Sequence, residues 1–475
     1  MVQSEIEPPN YVLNLEKFGS NIAISSEKNG EISYEQLHEY VKLVTVCLTK
    51  RALVFCFCRN NAETIVGYLG ILNSQCVSIM INGNISIELL EQLNKRYSPE
   101  YIWVEKSRII EFRAPTKVYE FGDYVLLRTQ NDFQDDLHPE LSLLLPTSGS
   151  TGSPKYVRLS HGNLSSNAKS IAKYLDIQSE EKTITTLPSS YSYGLSIINS
   201  HLLKGATIHL TEYSLMEKRF WEILGHNDID SFGGVPYTYK MLDKIKVAET
   251  LPQSLRTLTQ AGGKLGKKLS LKFAKICQGT GRNFIVMYGQ TEATARMSYL
   301  PPKYAINKAG SIGIPIPGGE FWLVNESGKV IEDSDVSGEL FYSGLNVSLG
   351  YAEFRSDLKN GDENNGVLAT GDLALRDKDG FYYIVGRIKR FLKIFGNRIN
   401  LDEIENQLNQ TGYEVVCTGS DDQLLIFTTD KNKLQEITRY VKKNFHIHST
   451  ALKISYIESI PRNSSGKIQY SRLNN

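Results

Sequence analysis

Residues Leu143–Lys155 read Leu-Leu-Leu-Pro-Thr-Ser-Gly-Ser-Thr-Gly-Ser-Pro-Lys. An apolar run ends at Pro146, and a segment rich in Gly, Ser and Thr follows and closes with a lysine. Such a loop exposes backbone N–H groups and hydroxyls, and glycine lets the chain curve around a ligand without a Cβ clash. The segment therefore predicts a polyphosphate site, with a flexible Ser/Gly linker as the alternative. The positions of Gly149 and Lys155 do not match the Walker A motif G-x-x-x-x-G-K-[ST].

Size and composition limit the classes of function. The chain has 475 residues, 41% hydrophobic and 22% charged, which is typical of a globular protein with more than one core. A net charge of +1 gives no electrostatic reason to expect a nucleic-acid partner. No apolar run approaches the roughly 20 residues of a membrane span, and the N-terminus lacks a signal-peptide layout. The six cysteines have no zinc-ligand spacing, which favours free thiols and a cytoplasmic protein.

The texture of the sequence changes along the chain. Strands alternate with amphipathic helices at about 12–140 and again at 142–300, which predicts parallel βαβ units. Short alternating runs separated by Gly, Asn and Asp at about 310–386 predict a small antiparallel β subdomain. The pattern of the last 85 or so residues indicates a mixture of helices and strands, typical of an α+β domain. We therefore predict an α/β protein with a large N-terminal domain at 1–388, made of two βαβ-type subdomains plus the β subdomain. A small α+β C-terminal domain follows at 389–475.

Two further segments carry residue types used in nucleotide chemistry. Tyr288-Gly289-Gln290-Thr291-Glu292-Ala293 directly follows a strand, and ligands bind at the C-terminal ends of parallel strands. A glutamate there can hold Mg²⁺, whereas the alternative for this hexapeptide is a helix-capping turn. Asp372 in Thr370-Gly371-Asp372 can accept ribose hydroxyls, although Gly-Asp turns are also common.

Two segments near the C-terminus are rich in cations and glycine. Gly386–Ile399 lies at the predicted domain boundary, and its alternative is an exposed basic hairpin. In Pro461–Ile468, Lys467 follows a Ser/Gly turn. A mobile lysine can bring a point charge to an anion that develops in a transition state. Taken alone, this segment would be a frayed terminus.

Together these five segments resemble the adenylate-forming superfamily. Its members include acyl- and aryl-CoA synthetases, adenylation domains of peptide synthetases, and luciferases. The order and separation of the segments match from about residue 30 to residue 472. The resemblance implies an ATP-dependent enzyme that activates a carboxylic acid as its adenylate.

The resemblance also implies roles in the nucleotide site. Tyr288 and Gly289 would lie at adenine, Thr291 would contact the α-phosphate, and Glu292 would bind Mg²⁺. Asp372 would hold the ribose, and Arg387 would assist with the nucleotide. The loop implied to wrap the β- and γ-phosphates of ATP comprises Thr147, Ser148, Gly149, Ser150, Thr151, Gly152 and Lys155.

Two half-reactions follow from the same resemblance. Lys389 would be the hinge about which a mobile C-terminal domain rotates. In the first half-reaction Lys467 would reach the carboxylate and the α-phosphate, with Thr291 and Glu292 completing the catalytic set. In the second, Gly396 would line the tunnel for the pantetheine arm of coenzyme A or of an acyl carrier protein, since a side chain would block it.

The expected acid pocket departs from that of amino-acid-activating relatives. Those usually carry Phe-Asp where this chain has Tyr191-Ser192, and the aspartate pairs with the substrate ammonium. A buried ammonium without a carboxylate is unfavourable, so the sequence favours an uncharged acyl or aryl acid. The predicted pocket also includes Gly233 and Gly234, which could give room for a chain or form a tight turn. Gly262 and Gly263 match the family's Gly-Gly turn beside adenine and the acid.

The leading prediction is an AMP-forming carboxylate ligase that delivers the acyl group to coenzyme A or to a carrier-protein phosphopantetheine. The alternative within the class is a free-standing amino acid:carrier protein ligase of the D-alanine-loading kind, which the absence of Phe-Asp disfavours. Two hypotheses from outside this class are a luciferase-like oxygenase and a non-catalytic nucleotide-binding protein. The presence of Lys155, Glu292, Asp372 and Lys467 argues against a non-catalytic protein.

Overall fold

The computed structural model describes residues 14–133, 137–147, 155–246, 250–395, 397–445, 447–462 and 466–473. One large sheet has a parallel centre with antiparallel strands at both edges. Its strands lie in the spatial order Gly350–Ala352, Tyr156–Ser160, Leu141–Pro146, Val77–Asn82, Leu53–Cys58, Tyr101–Glu105, Tyr124–Arg128 and Thr116–Phe121.

A second large sheet carries the residues expected at the acid and adenine. It is parallel from Ile22–Ser26 through to Asn283–Tyr288, and antiparallel pairs close both edges. Its strands lie in the spatial order Ile314–Pro315, Ser298–Tyr299, Asn283–Tyr288, Thr257–Gln260, Ser231–Gly234, Lys182–Thr185, Thr207–Leu210, Ile22–Ser26 and Gly30–Ser33.

Smaller sheets follow in the C-terminal third of the chain. An antiparallel sheet contains Gly319–Val324, Ser337–Gly344, Val367–Arg376 and Tyr382–Arg387. After it come the hairpin Phe391–Ile394 with Asn397–Asn400, and a mixed sheet of Val415–Ser420, Gln423–Thr428 and Leu452–Tyr456. Residues of the segment from Leu392 to Ala451 form a hydrophobic cluster of their own.

The α-helices cover the faces of these sheets. In chain order they are Tyr34–Cys47, Ala62–Asn73, Ile87–Tyr97, His161–Tyr174, Ser192–Lys204, Lys218–His226, Pro236–Lys244, Lys267–Gly279, Leu401–Gln410 and Leu434–Phe445.

Local sequence explains where these elements begin. Leu53–Cys58 is buried along its whole length, as an apolar run in the parallel part of a sheet requires. The helix His161–Tyr174 begins directly after its N-cap, Ser160. The Ser160 hydroxyl accepts from the Asn163 N–H, and the Asn163 side chain accepts from the Ser160 N–H, which forms a capping box. The predicted α/β class is confirmed.

Candidate active site

The two expected nucleotide residues Tyr288 and Asp372 meet across two sheets. The Tyr288 hydroxyl donates to Asp372 Oδ2 at 2.6 Å, and Gln290 Nε2 donates to the same oxygen at 3.1 Å. Arg387 Nε donates to Asp372 Oδ1 at 3.1 Å. Asp372 is only 3% exposed, so these donors hold its carboxylate in a fixed position. Because a carboxylate oxygen accommodates two donors, Oδ1 keeps capacity for a ribose hydroxyl.

Gly289 forms the turn between Tyr288 and the buried Thr291. A Cβ at Gly289 would collide with the carbonyl oxygen of Ala295, so a side chain cannot be placed there without moving the backbone. The close approach lets the chain reverse after the strand and pair Met297 N–H with the Tyr288 carbonyl at 2.8 Å. A glycine is therefore needed here for packing, whatever it contributes to the nucleotide.

Glu292 and Lys155 both contact Tyr351. The Tyr351 hydroxyl donates to Glu292 Oε1 at 2.9 Å, and Lys155 Nζ lies 3.8 Å from the centroid of the Tyr351 ring. Burial and the neighbouring Glu292 carboxylate raise the pKa of Tyr351, which keeps its phenol protonated as a donor. A carboxylate and an ammonium group thus contact the same tyrosine, and the ammonium group belongs to the residue at which the glycine loop ends.

The loop itself is described only at its ends. Thr147 N–H donates to the Lys155 carbonyl at 3.1 Å, which closes the hairpin between Leu141–Pro146 and Tyr156–Ser160. The expected phosphate-binding residues Ser148, Gly149, Ser150, Thr151 and Gly152 lie outside the described residues, and so does Gly396 of the expected thiol tunnel. The backbone of Lys389 forms a short 3₁₀ turn, Ile388–Arg390, that directly follows Tyr382–Arg387.

Lys467 lies between the expected acid and nucleotide residues. Its Nζ is 5.3 Å from the centroid of the Tyr191 ring. Burial and the charge of Arg387 together lower the pKa of Lys467 to about 8, against the opposing effect of Glu292 and Asp372. The C-terminal segment therefore brings a lysine into a desolvated position near the charges of Arg387, Glu292 and Asp372.

Contacts of the preceding residues hold this segment against the helix Pro236–Lys244. The Gly466 backbone lies against Val235 and Tyr237, and Arg462 Nη1 donates to the Gly466 carbonyl at 3.1 Å. The Arg462 guanidinium also lies 5.7 Å from the centroid of the Tyr237 ring.

Tyr191 and Ser192 mark the boundary between the two half-sites. Ser192 Oγ and Thr291 Oγ1 lie 3.2 Å apart, so the acid-pocket segment and the hexapeptide touch. The Tyr191 hydroxyl lies directly against Gly262, where φ is +82° and a Cβ would collide with it. Burial raises the pKa of Tyr191 above its ordinary value, so its hydroxyl remains neutral.

The other expected pocket glycines are packed tightly. Gly233 and Gly234 end the strand Ser231–Gly234. A Cβ at Gly233 would lie 2.8 Å from Ile197 Cδ1 and 2.9 Å from the Tyr193 hydroxyl, and one at Gly234 would lie 2.6 Å from Thr238 Cγ2. Both glycines thus lie in a strand and not in a tight turn. The space beside them, which could have held an acyl chain, is occupied by the side chains of Ile197, Tyr193 and Thr238. Gly263 is exposed; a Cβ added there would meet the ring of Pro236, and the Gly263 carbonyl accepts from Gln260 Nε2 at 2.9 Å.

Three side chains of this region were not expected from the sequence. Gln290 lies within the quoted hexapeptide and could have been anticipated from its place between two named residues. Tyr351 and Arg296 carry no local signal, because their partners lie far away in the sequence. Arg296 donates to Ser196 Oγ and Tyr174 Oη at 3.0 and 3.2 Å.

The sequence of the chain matches the model of one protein family. The model of the family described as "AMP-binding enzyme" matches residues 13–352. The chain belongs to the AMP-binding enzyme family. This match covers most of the chain and includes the glycine loop, the Tyr191 region and the hexapeptide.

Individual relatives share about a quarter of their residues with this chain and match it over nearly the full length of both proteins. A 2-succinylbenzoate–CoA ligase of Bacillus cereus (strain Q1) is 26% identical over 471 residues, covering 94% of this chain and 93% of the relative. An oxalate–CoA ligase of Arabidopsis thaliana is 25% identical and covers 95% of each chain.

Solved structures of this family share the fold. O-succinylbenzoate coenzyme A synthetase from Bacillus subtilis, in complex with AMP, superposes with a TM-score of 0.78 at 21% identity, covering 98% of each chain. ATP-bound MatB from Rhodopseudomonas palustris gives a TM-score of 0.78 at 18% identity, again over 98% of each chain. The α/β architecture of AMP-binding enzymes is thus present throughout.

Proposed function

We propose that this AMP-binding enzyme is an AMP-forming carboxylate ligase that adenylates a small carboxylic acid and transfers the acyl group to a thiol. The observation that carries the proposal is the position of Lys467, which lies against Tyr191 and within electrostatic range of Glu292 and Asp372. Residues from three parts of the chain thus converge on one point between an acid pocket and a nucleotide site. The names of the relatives, both CoA ligases, support the same reaction class.

In the first half-reaction a carboxylate oxygen of the acid attacks the α-phosphorus of ATP. A P–O bond forms, the bond to the bridging oxygen breaks, and pyrophosphate leaves with that electron pair. Lys467 Nζ offsets the negative charge of the approaching carboxylate and phosphate oxygens, an effect that is strengthened by its burial. Thr291, which is buried and already oriented by Ser192, is proposed to donate to an α-phosphate oxygen.

Glu292 is proposed as the protein carboxylate that holds Mg²⁺. Tyr351 occupies one side of Oε1 and fixes the direction of the carboxylate. The described residues contain no group of three or more His, Cys, Asp or Glu that could hold a metal, which fits an ion that takes most of its oxygens from phosphates and water. When bound, Mg²⁺ would neutralise phosphate charge. A related synthetase from Bacillus subtilis has been solved with ATP and a magnesium ion.

The acid is proposed to lack an α-ammonium group. No carboxylate in the described part of the chain hydrogen-bonds to Tyr191, Ser192, Tyr193 or Ser196, and Ser192 instead contacts Thr291. The cationic Arg296 lies beside Tyr193 and Ser196, which would repel an ammonium group. This favours a carboxylic acid other than an amino acid and disfavours the D-alanine-loading alternative.

In the second half-reaction the thiol sulfur attacks the acyl carbon of the adenylate. A C–S bond forms, the C–O bond to phosphate breaks, and AMP leaves as the thiol proton is lost to solvent. The relatives' names favour coenzyme A over a carrier-protein phosphopantetheine. Rotation of a C-terminal domain, 389–475, about Lys389 is proposed to move Lys467 out and the thiol in, with Gly396 lining its path.

Acid-dependent ATP–pyrophosphate exchange with the whole chain, Mg²⁺ and a panel of carboxylic acids tests the proposal. Exchange with at least one acid and the subsequent appearance of its CoA thioester are expected. Absence of exchange with every acid, from protein shown to be folded, would contradict the proposed reaction. Exchange followed by transfer only to a carrier protein would change the acceptor and leave the first half-reaction standing.

We also propose a cytoplasmic location. All six cysteines are free thiols, five of them buried, as expected in a reducing compartment. Among the helices of the described segments, none combines the length and apolar character needed to cross a membrane.

A further inference from the structure

Arg296 is an arginine of the interior without an acidic partner in the part of the chain that the structure describes. It is 1% exposed, and no carboxylate lies within ion-pair distance of it among the described residues. The other two buried arginines differ: Arg158 pairs with Glu363 at 2.9 Å, and Arg355 pairs with Glu100 at 2.7 Å. A buried guanidinium without an anion is unfavourable, so we expect an anionic group from outside the described residues to pair with Arg296.

The hydrogen bonds of Arg296 leave part of its guanidinium unused. Nε donates to Ser196 Oγ at 3.0 Å, and Nη1 donates to Tyr174 Oη at 3.2 Å and to Met287 Sδ at 3.3 Å. Nη2 makes no hydrogen bond with the described residues. The acceptors are neutral groups, and a thioether is a weak one. The surroundings are otherwise apolar and aromatic, with the Tyr193 ring 5.0 Å from Cζ.

This cation lies on the acid side of the proposed active site. Tyr193 and Ser196 belong to the helix Ser192–Lys204, which begins directly after Tyr191. The Tyr191 and Tyr193 rings lie edge to face, 6.4 Å apart. Lys467 contacts the Tyr191 end of this aromatic wall, and Arg296 contacts the Tyr193 end. Two cations therefore lie at opposite ends of one pair of rings.

We infer that Arg296 recognises a second carboxylate of the substrate, so that the enzyme activates one end of a short dicarboxylic acid. The inference rests on the proposed function and names its substrate class. One carboxylate would react near Lys467 and Thr291, while the other accepts hydrogen bonds from Arg296. Arginine presents a planar fork of donors that matches a carboxylate, and in a desolvated site such a pair is strong. The tightly packed Gly233 leaves little room for a long acyl chain.

A dicarboxylic acid differs from the uncharged acid that Tyr191-Ser192 alone favours. The missing aspartate excludes an ammonium partner but does not by itself define what replaces it. Arg296 supplies the opposite charge, which the local sequence did not reveal.

The test compares acids of equal carbon number in ATP–pyrophosphate exchange: succinate against butyrate, and glutarate against valerate. The wild-type kcat/KM for the preferred diacid should exceed that of its monoacid by about 10²-fold or more, as expected when a buried charge pair forms. Arg296→Gln should lower kcat/KM for the diacid by about 10²- to 10³-fold, chiefly through KM. The KM for ATP should stay unchanged, and kcat/KM for the monoacid should decrease far less than kcat/KM for the diacid. Arg296→Lys should restore part of the diacid preference.

Arg282→Gln is the matched control. Arg282 also donates only to uncharged acceptors, the carbonyls of Leu251, Pro252 and Leu255, but lies before the strand Asn283–Tyr288, at the end remote from Tyr288. Its loss should lower the melting temperature without changing the diacid-to-monoacid ratio. An equal effect of both substitutions on that ratio would show that Arg296 has only a structural role.

The outcomes separate the inference from the proposed function. Wild-type exchange with monoacids that equals or exceeds exchange with diacids would overturn the inference and leave the ligase standing. No exchange with any acid would overturn both. If Arg296→Gln does not fold, the wild-type ratios and Arg296→Lys still decide the question.

Discussion

At the residue scale, Lys467, the proposed catalytic lysine, is buried in a position that disfavours its charge. We predict that Lys467→Met lowers the rate of adenylation by about 10²- to 10³-fold, because one preorganised charge at the transition state is lost. Burial lowers the pKa of Lys467 in the folded state below its pKa in the unfolded state. The charged lysine therefore opposes folding below about pH 8, and this penalty decreases as the pH rises toward the pKa of the unfolded state. Thermal unfolding at pH 7 should therefore show no loss of stability. Unchanged pyrophosphate exchange would contradict the assigned role.

The same lysine predicts a pH dependence. The ammonium form is the active form, so kcat/KM for ATP should decrease as pH rises through about 8, by about tenfold per unit well above it. The decrease in kcat should begin at a higher pH than the decrease in kcat/KM, because bound phosphate stabilises the charged lysine. Lys467→Arg should abolish the decrease in activity at high pH, because arginine stays protonated. A flat wild-type profile from pH 7 to 9.5 would be inconsistent with an active ammonium group.

Gly262 fixes the position of Tyr191. We predict that Gly262→Ala lowers the free energy of unfolding by about 1 to 3 kcal/mol, because φ is +82° and the new Cβ meets the Tyr191 hydroxyl. The KM for the acid should rise, as measured by pyrophosphate exchange. Gly266→Ala is the control, since its φ is −56° and no atom lies within 4 Å of the added Cβ. A similar effect of both substitutions would disprove the role given to Tyr191.

At the scale of elements, the strands Asn283–Tyr288 and Val367–Arg376 are joined through the Tyr288–Asp372 hydrogen bond. Tyr288→Phe removes a donor to a buried carboxylate, and the KM for ATP should rise by roughly tenfold. Tyr382→Phe removes a comparable buried bond, 2.9 Å long to the Phe321 carbonyl, within the same antiparallel sheet. It should reduce thermal stability and leave the KM for ATP unchanged. An equal KM effect from both would point to general loosening of the sheet.

Across the whole molecule, the C-terminal segment lies in the position expected for adenylation. Tyr237→Ala removes the ring that lies beside the Arg462 guanidinium, and we predict a decrease of about 3- to 10-fold in the adenylation rate. Thioester formation from added acyl-adenylate should be unaffected, because that step is proposed to need a different arrangement. Tyr213→Ala, at another partly exposed tyrosine (38%), should change neither rate. Equal loss in both half-reactions would argue against a contact specific to the first.

The comparisons confirm the predicted family, the α/β class and the class of ligase. They do not test the division at 388–389 or the individual site residues, which stay predictions. The structure does bring Tyr288, Asp372 and Arg387 together as expected, and it brings Lys467 to Tyr191. It also corrects the interpretation of Gly233 and Gly234, whose spare volume is filled by Ile197, Tyr193 and Thr238.

The sequence by itself determined the elements and the reaction class. Hydrophobic periodicity and capping residues act over a few neighbours, and the motif from Thr147 to Lys155 is contiguous, so both can be recognised without a fold. Only the tertiary structure decided the partners of Tyr351 and Arg296. Tyr351 meets Glu292 from 59 positions away, and Arg296 meets Ser196 from 100 positions away. Such proximity depends on how sheets and helices pack, and the absence of a carboxylate beside Arg296 in the described part of the chain is visible only once its spatial neighbours are known.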